Sequence, residues 1–110
     1  MKIAISAEGK TINAKVDSRF GRAPFFVILD TQTLGYKFIE NAAAQQSSGA
    51  GTKAAEMLIN EGIEALISSN LGPNAMSVIK AAKIPVYKSI DGDIKTNLEL
   101  FQNNKLEKEF

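Results

Sequence analysis

Short apolar runs separated by polar, glycine-punctuated stretches set the rhythm of this chain. Residues 2–6 are an isoleucine-bearing run of the kind that forms a buried strand. Residues 25–30 predict a second strand. Residues 36–40 predict a third, in which Tyr36, Phe38 and Glu40 alternate with Lys37 and Ile39, the pattern of a less buried position. Between these two, residues 31–35 read as a hairpin turn ending at Gly35. The period then changes. Ala54, Ala55 and Leu58 recur at helical spacing and Gly62 supplies a stop, so a helix is expected over 52–61. Residues 64–69 predict a fourth strand, followed by a tight turn at 70–72. Pro73 suits the first turn of a second helix, with Ala75, Met76, Ile79 and Ala82 facing inward. Residues 84–87 predict a fifth strand, placed at an edge by Pro85. Asp91 or Asp93 is suited to cap a third helix through residue 103, with Ile94, Leu98 and Phe101 inward. Residues 7–22 and 41–51 read as long polar loops, and residues 104–110 as a charged tail that frays.

This order, β-β-β-α-β-α-β-α, constrains the topology. Hairpins make the first three strands antiparallel neighbours, and the later crossovers require parallel strands joined in the right-handed sense. The expected fold class is α/β: a mixed five-stranded sheet with strand 2 antiparallel and helices on both faces, an arrangement that resembles the ribonuclease H fold. The loops after strands one, three, four and five then leave from one edge of the sheet. They carry residues 17–22, 45–52, 69–74 and 89–93. Ligands of open α/β sheets tend to sit at this carboxyl edge, near a switch in topology, here between strands one and four.

Composition narrows the chemistry. A chain of 110 residues with 45% hydrophobic content suits one domain, read as residues 1–106 with a tail at 107–110. There is no cysteine and no histidine, which removes disulfides, thiolate and imidazole metal sites and imidazole acid–base catalysis. A net charge of +1 provides no strong field for nucleic acid or an anionic membrane. The longest apolar run, residues 23–29, is too short to cross a bilayer, and the first residues read as a strand and not a signal peptide. A cytoplasmic protein is therefore expected.

The shared edge carries the candidate chemistry. Two helices start there, and their free N–H groups and dipoles favour an anion. Gly49-Ala50-Gly51 allows close backbone approach before the first helix, as does Gly72-Pro73-Asn74 before the second. Arg19 and Arg22 flank Phe20-Gly21 in the facing loop, where guanidinium groups can grip anionic oxygens. Each feature also has a plain structural use: the glycines as caps and turns, the arginines as surface or paired charges, Phe20 as a core plug, and Met57 and Met76 as packing. The glycines lack the third member of a dinucleotide fingerprint, and no P-loop lysine accompanies them.

Catalysis finds little footing. Metal-dependent nuclease chemistry needs clustered carboxylates, but the first strand has none. Glu8 and Asp17 lie in a loop, Asp30 falls at the far end of the second strand, and Asp91 and Asp93 suit a helix cap. Ser6, Ser47, Ser48, Ser68 and Ser69 have no histidine to activate them, and a pairing with Lys53 has no motif behind it. The chain reads as a binding protein and not an enzyme.

Several segments together resemble a known family. Met1-Lys2-Ile3-Ala4-Ile5, Val16-Asp17-Ser18-Arg19-Phe20-Gly21-Arg22-Ala23-Pro24-Phe25-Phe26, Glu40-Asn41, Ser48-Gly49-Ala50-Gly51 and Asn70-Leu71-Gly72-Pro73-Asn74-Ala75 are similar to the dinitrogenase iron–molybdenum cofactor-binding domain. This is the NifX-like domain also found at the end of some NifB proteins. The resemblance implies a ribonuclease H-like three-layer α/β/α fold. It also implies binding or carriage of an anionic iron–sulfur or iron–molybdenum cluster, or its precursor, with metallocluster donor or acceptor proteins as partners. Many members place a histidine before the Gly-x-Gly where this chain has Ser48, and some use cysteine. Without either, a preassembled cluster would be held by hydrogen bonds, charge and weaker oxygen or thioether contacts. The expected site comprises Arg19 and Arg22 for charge, Gly49, Gly51, Gly72 and Asn74 for backbone N–H groups, and Asn70 for its side-chain amide. Two other readings stay open: a cofactor-free protein-interaction or regulatory module, and an enzyme acting on a small anion.

Overall fold

The computed structural model describes residues 1–46 and 48–109. Ile3, Ala4 and Ile5 have no solvent exposure, because the strand that carries them, β1 (Lys2–Ala7), has neighbours on both sides and helices above and below. It pairs antiparallel with β2 (Phe25–Asp30), which pairs antiparallel with β3 (Tyr36–Glu40). On its other side β1 runs parallel to β4 (Ala65–Ile67), and β4 runs parallel to β5 (Val86–Tyr87). The sheet is therefore mixed and five-stranded, ordered β3-β2-β1-β4-β5, with β2 reversed as expected.

Alternation along the strands divides the core. Ala4, Phe26, Ile28 and Leu66 face α1 (Ala50–Asn60) and α2 (Pro73–Ala81), meeting Ala54, Ala55, Leu58, Ala75 and Ile79. Ile3, Ile5, Val27, Leu29 and Ile67 face α3 (Ile94–Gln102), meeting Ile94 and Leu98. No helix among the described residues is long and apolar enough to cross a membrane.

Several local expectations are corrected. Segment 7–22 is not all loop: Ala7 bridges to Val16, Lys15 bridges to Asp93, and Phe20–Arg22 forms a 3-10 turn. Segment 41–51 contains a second 3-10 turn, Ala42–Gln45, capped by the Asn41 side chain. Helix α1 begins at Ala50, so Gly51 lies inside its first turn and not in the loop before it. The β2–β3 turn does end at Gly35, but its left-handed residue is Leu34 (φ 62°), while Asp30 Oδ1 accepts from the Gln32 N–H at 2.8 Å. Ala82, expected inward, is exposed just past the end of α2. Asp93, not Asp91, caps α3 by accepting from the Thr96 N–H at 2.7 Å.

Residues 106–109 fold back onto the sheet and do not extend as a loose tail. β5 is only two residues long, and the chain end covers its free edge. The Lys88 N–H donates to the Glu107 carbonyl and the Glu109 N–H to the Val86 carbonyl, each at 2.7 Å. Buried Leu106 anchors the segment under α3. Ser47, considered above as a nucleophile, and Phe110, the last residue of the tail, lie outside the described residues.

Candidate functional site

At the carboxyl edge of the sheet, the 3-10 turn at Phe20–Arg22 and the starts of α1 and α2 enclose a cleft of about 360 Å³. Its assembly begins with Phe20, which is 2% exposed and packs 5.4 Å from the ring of Phe26. This plug seats the turn on the core. Gly21 then lies directly against the backbone of Ala50 and Gly51, with no room for a side chain. Gly51 in turn faces Ala75, where an added Cβ would come within 3.2 Å of the alanine methyl. Gly21, Gly51 and Ala75 thus form a stack of small residues that brings one turn and two helices together. The buried Asn41 side chain locks it, donating to the carbonyls of Gly21 at 3.1 Å and Ala23 at 2.8 Å.

The two helices that open on the cleft differ from the third. Neither Gly49, the N-cap of α1 (φ 73°), nor Gly72, the N-cap of α2, offers a side chain to its helix start, whereas Asp93 caps α3. No acidic residue occupies the first turn of α1 or α2. Among the described residues, the leading N–H groups and the positive ends of both dipoles therefore have no capping side chain at the N-cap and no acidic residue in the first turn. Asn70 sits between them in a left-handed conformation (φ 56°), which asparagine tolerates better than most residues.

The arginines are not equivalent. Arg19 forks onto Asp17, donating from Nε to Oδ1 at 3.0 Å and from Nη2 to Oδ2 at 2.7 Å, and its backbone N–H also donates to Oδ1 at 2.8 Å. The Asp17 side chain is 2% exposed and that of Arg19 65% exposed. Burial pushes the Asp17 carboxyl up, but the hydrogen bonds and charge of Arg19 outweigh it and hold the carboxyl below its ordinary range. Arg22 has no carboxylate partner among the described residues. Its Nη1 donates to the carbonyls of Ala44, at 2.9 Å, and Gln46.

All seven residues expected from the sequence line this one cleft: Arg19, Arg22, Gly49, Gly51, Asn70, Gly72 and Asn74. Two of their expected roles change. Arg19 is already neutralised by Asp17, which leaves Arg22 as the unneutralised cation of the pair. Gly51 is a glycine because Gly21 and Ala75 press on it. Sequence reasoning missed Asp17, Gly21 and Asn41. The Asp-x-Arg spacing was a readable sign of a local pair, while the other two act across the fold and leave no local sign.

The cleft and the strand order can now be set beside known proteins. Residues 1–104 match the dinitrogenase iron-molybdenum cofactor family. The chain belongs to this family. It is 37% identical over 111 residues to an uncharacterized protein of Methanocaldococcus jannaschii, covering 98% of this chain and 91% of that one. The apo form of the orange protein from Desulfovibrio gigas superposes with a TM-score of 0.93 at 32% identity, over 97% of this chain and 91% of the other. A candidate NifB protein from Thermotoga superposes with a TM-score of 0.86 at 34% identity, over the same 97% and 91%. Both structures share this architecture over nearly the whole chain.

Proposed function

We propose that this protein is a non-catalytic binder or carrier of an anionic iron–sulfur or iron–molybdenum cluster, or its precursor, held in the cleft between the 3-10 turn and the starts of α1 and α2. The observation that carries this reading is the convergence of two side-chain-uncapped helix starts and Arg22 on one cleft. Family membership supports it, and so does a relative known in an apo form. The donor set restricts how such cargo is held. The chain has no cysteine or histidine, and the described residues contain no group of three or more carboxylates that could hold a metal ion. Thiolate and imidazole, the usual ligands of iron clusters, are unavailable. The cleft fits a cluster assembled elsewhere and held from outside by N–H groups, the Asn70 amide and the Arg22 charge, with Arg19 placed at the rim by Asp17. In this reading the protein works in the cytoplasm between a cluster donor and an acceptor, and a ribonuclease H-like three-layer fold is the reading that its sheet order, with β2 reversed, supports.

Anaerobic titration with isolated iron–molybdenum cofactor, followed by visible absorption, tests the proposal. Binding is expected at micromolar protein and should weaken in an Arg19→Ala/Arg22→Ala double variant. Absence of binding, or binding indifferent to both changes, would refute it. The exposed Leu34 (64%), in the β2–β3 turn, and Tyr36 (51%), on the edge strand β3, favour a second reading, a cofactor-free interaction module. A stable protein partner captured without metal and lost on Tyr36→Ser would support that one instead.

A further inference from the structure

Arg22 stands on one structural unit and holds another. Its backbone belongs to the 3-10 turn that Gly21 clamps onto α1, and its N–H donates to the Arg19 carbonyl at 3.0 Å. Its side chain leaves that unit and grips segment 42–46 by the carbonyls of Ala44 and Gln46. Among the described residues, the segment's other ties are the buried Ala43 methyl, which packs in the core, and hydrogen bonds between neutral groups close in sequence. The Ala43 N–H donates to Asn41 Oδ1 at 3.1 Å, the Ala44 N–H to the Asn41 carbonyl at 3.1 Å, and the Gln46 N–H to the Ala43 carbonyl at 3.0 Å. Arg22 lines the cleft and also a second hollow, whose walls include Arg19, Glu40, Ala42, Ala44 and Gln45.

The partners of the two arginines decide which can move. Hydrogen bonds between ionised groups are roughly twice as strong as those between neutral ones, and a paired guanidinium–carboxylate fork adds geometry to charge. Arg19 already has such a partner in Asp17. Among the described residues, Arg22 has only neutral carbonyls as partners, on an exposed surface. An anion seated between two helix starts offers Arg22 a better partner than the one it holds, and offers Arg19 nothing better.

We infer that Arg22 is a ligand-exchanged latch: an anion entering the cleft draws its guanidinium off the carbonyls of Ala44 and Gln46 and releases segment 42–46. This rests on the anion-binding reading above and adds regulation to it. Occupancy of the cleft becomes a change in the surface next to it, which a donor or acceptor protein can distinguish. A ligand shifts such an equilibrium only through its different affinity for the two states, and here the difference is the Arg22–anion contact itself.

The test uses the whole chain and inorganic phosphate as the probe, with chloride at equal ionic strength as the control. Amide resonances of Gly51 and Asn74 report anion binding, and hydrogen exchange at Ala44 and Gln46 reports the latch. In the wild type, phosphate is expected to shift Gly51 and Asn74 and to speed exchange at Ala44 and Gln46 severalfold. In Arg22→Ala, exchange there should be about tenfold faster without phosphate, from loss of the charged hydrogen bonds, and phosphate should add nothing. If phosphate shifts Gly51 and Asn74 while exchange at Ala44 and Gln46 holds, the latch is wrong and anion binding stands. If phosphate shifts neither amide, the anion reading fails and the latch with it. The wild-type arm decides even if Arg22→Ala does not fold.

Discussion

The backbone nitrogen of Gly51 lies 2.6 Å from where a Cβ on Gly21 would be. Two motifs far apart in sequence are thus halves of one contact, and Gly21 is the residue through which the arginine-bearing turn reaches α1.

Three glycines around the cleft should therefore respond differently to alanine. At Gly21 a methyl meets fixed backbone, so Gly21→Ala is expected to cost about 1–3 kcal/mol, the range of overpacking in a tight site. Gly49 has open space but a φ of 73°, and Gly49→Ala should cost about 1–2 kcal/mol for the left-handed conformation. Gly72 has neither constraint, and Gly72→Ala should stay within about 0.5 kcal/mol. Urea unfolding midpoints check the order. A Gly72 variant as damaged as the Gly21 variant would contradict this account of the stack.

Asp17 makes a pH prediction whose sign follows from its partner. Its folded pKa lies below the ordinary 3.8. The carboxylate thus contributes stability that is present above the unfolded value and lost as pH falls through the folded one. The stability advantage of wild type over Asp17→Asn should shrink on acidification below about pH 4. In Arg19→Ala the lowering contributions of the side chain vanish while burial remains, so Asp17 should titrate higher than in wild type. Carbon-13 titration of the Asp17 carboxyl measures this directly, and an unchanged midpoint in Arg19→Ala would show that the fork does not control it.

The chain end separates an anchor from a cover. Leu106 is 8% exposed, and Leu106→Ala is expected to cost about 2 kcal/mol or more, as for other buried leucines. Residues 107–109 contribute edge hydrogen bonds and exposed ion pairs of Lys88 with Glu107 and Glu109, both at 3.6 Å. Such pairs contribute little, so truncation after Leu106 should cost under about 1 kcal/mol, whereas truncation after Lys105 should cost at least as much as Leu106→Ala. Thermal melts of the three variants check the ranking.

Much of the fold was legible because its determinants are local. The run of aromatic and branched residues at 25–30, the alternation at 36–40, the helical spacing of Ala54, Ala55 and Leu58, and the stop at Gly62 (φ 81°) each act within a few residues. What was misread depended on partners elsewhere. Residues 104–110 look like a tail by charge, yet Leu106 and the bare edge of β5 hold them down. The hairpin turn at 31–35 was legible, but not that Leu34 takes its left-handed position, with its N–H on the Asp30 carbonyl. The start of α1 was placed late because Gly51 reads as a breaker, and only its contact with Gly21 and Ala75 explains a glycine inside the helix.

By itself the sequence determined the strand order and hence the edge on which the loops meet, since hairpins and right-handed crossovers leave few arrangements. It also determined that no thiolate or imidazole could act there. Only the tertiary structure decided how the shared residues are used: Arg19 committed to Asp17, Arg22 holding Ala44 and Gln46, Gly51 reserved for Gly21. The physical reason is that periodicity records which face of an element is buried, whereas the partner of a guanidinium or the neighbour of a glycine is set by distances between elements that only packing brings together.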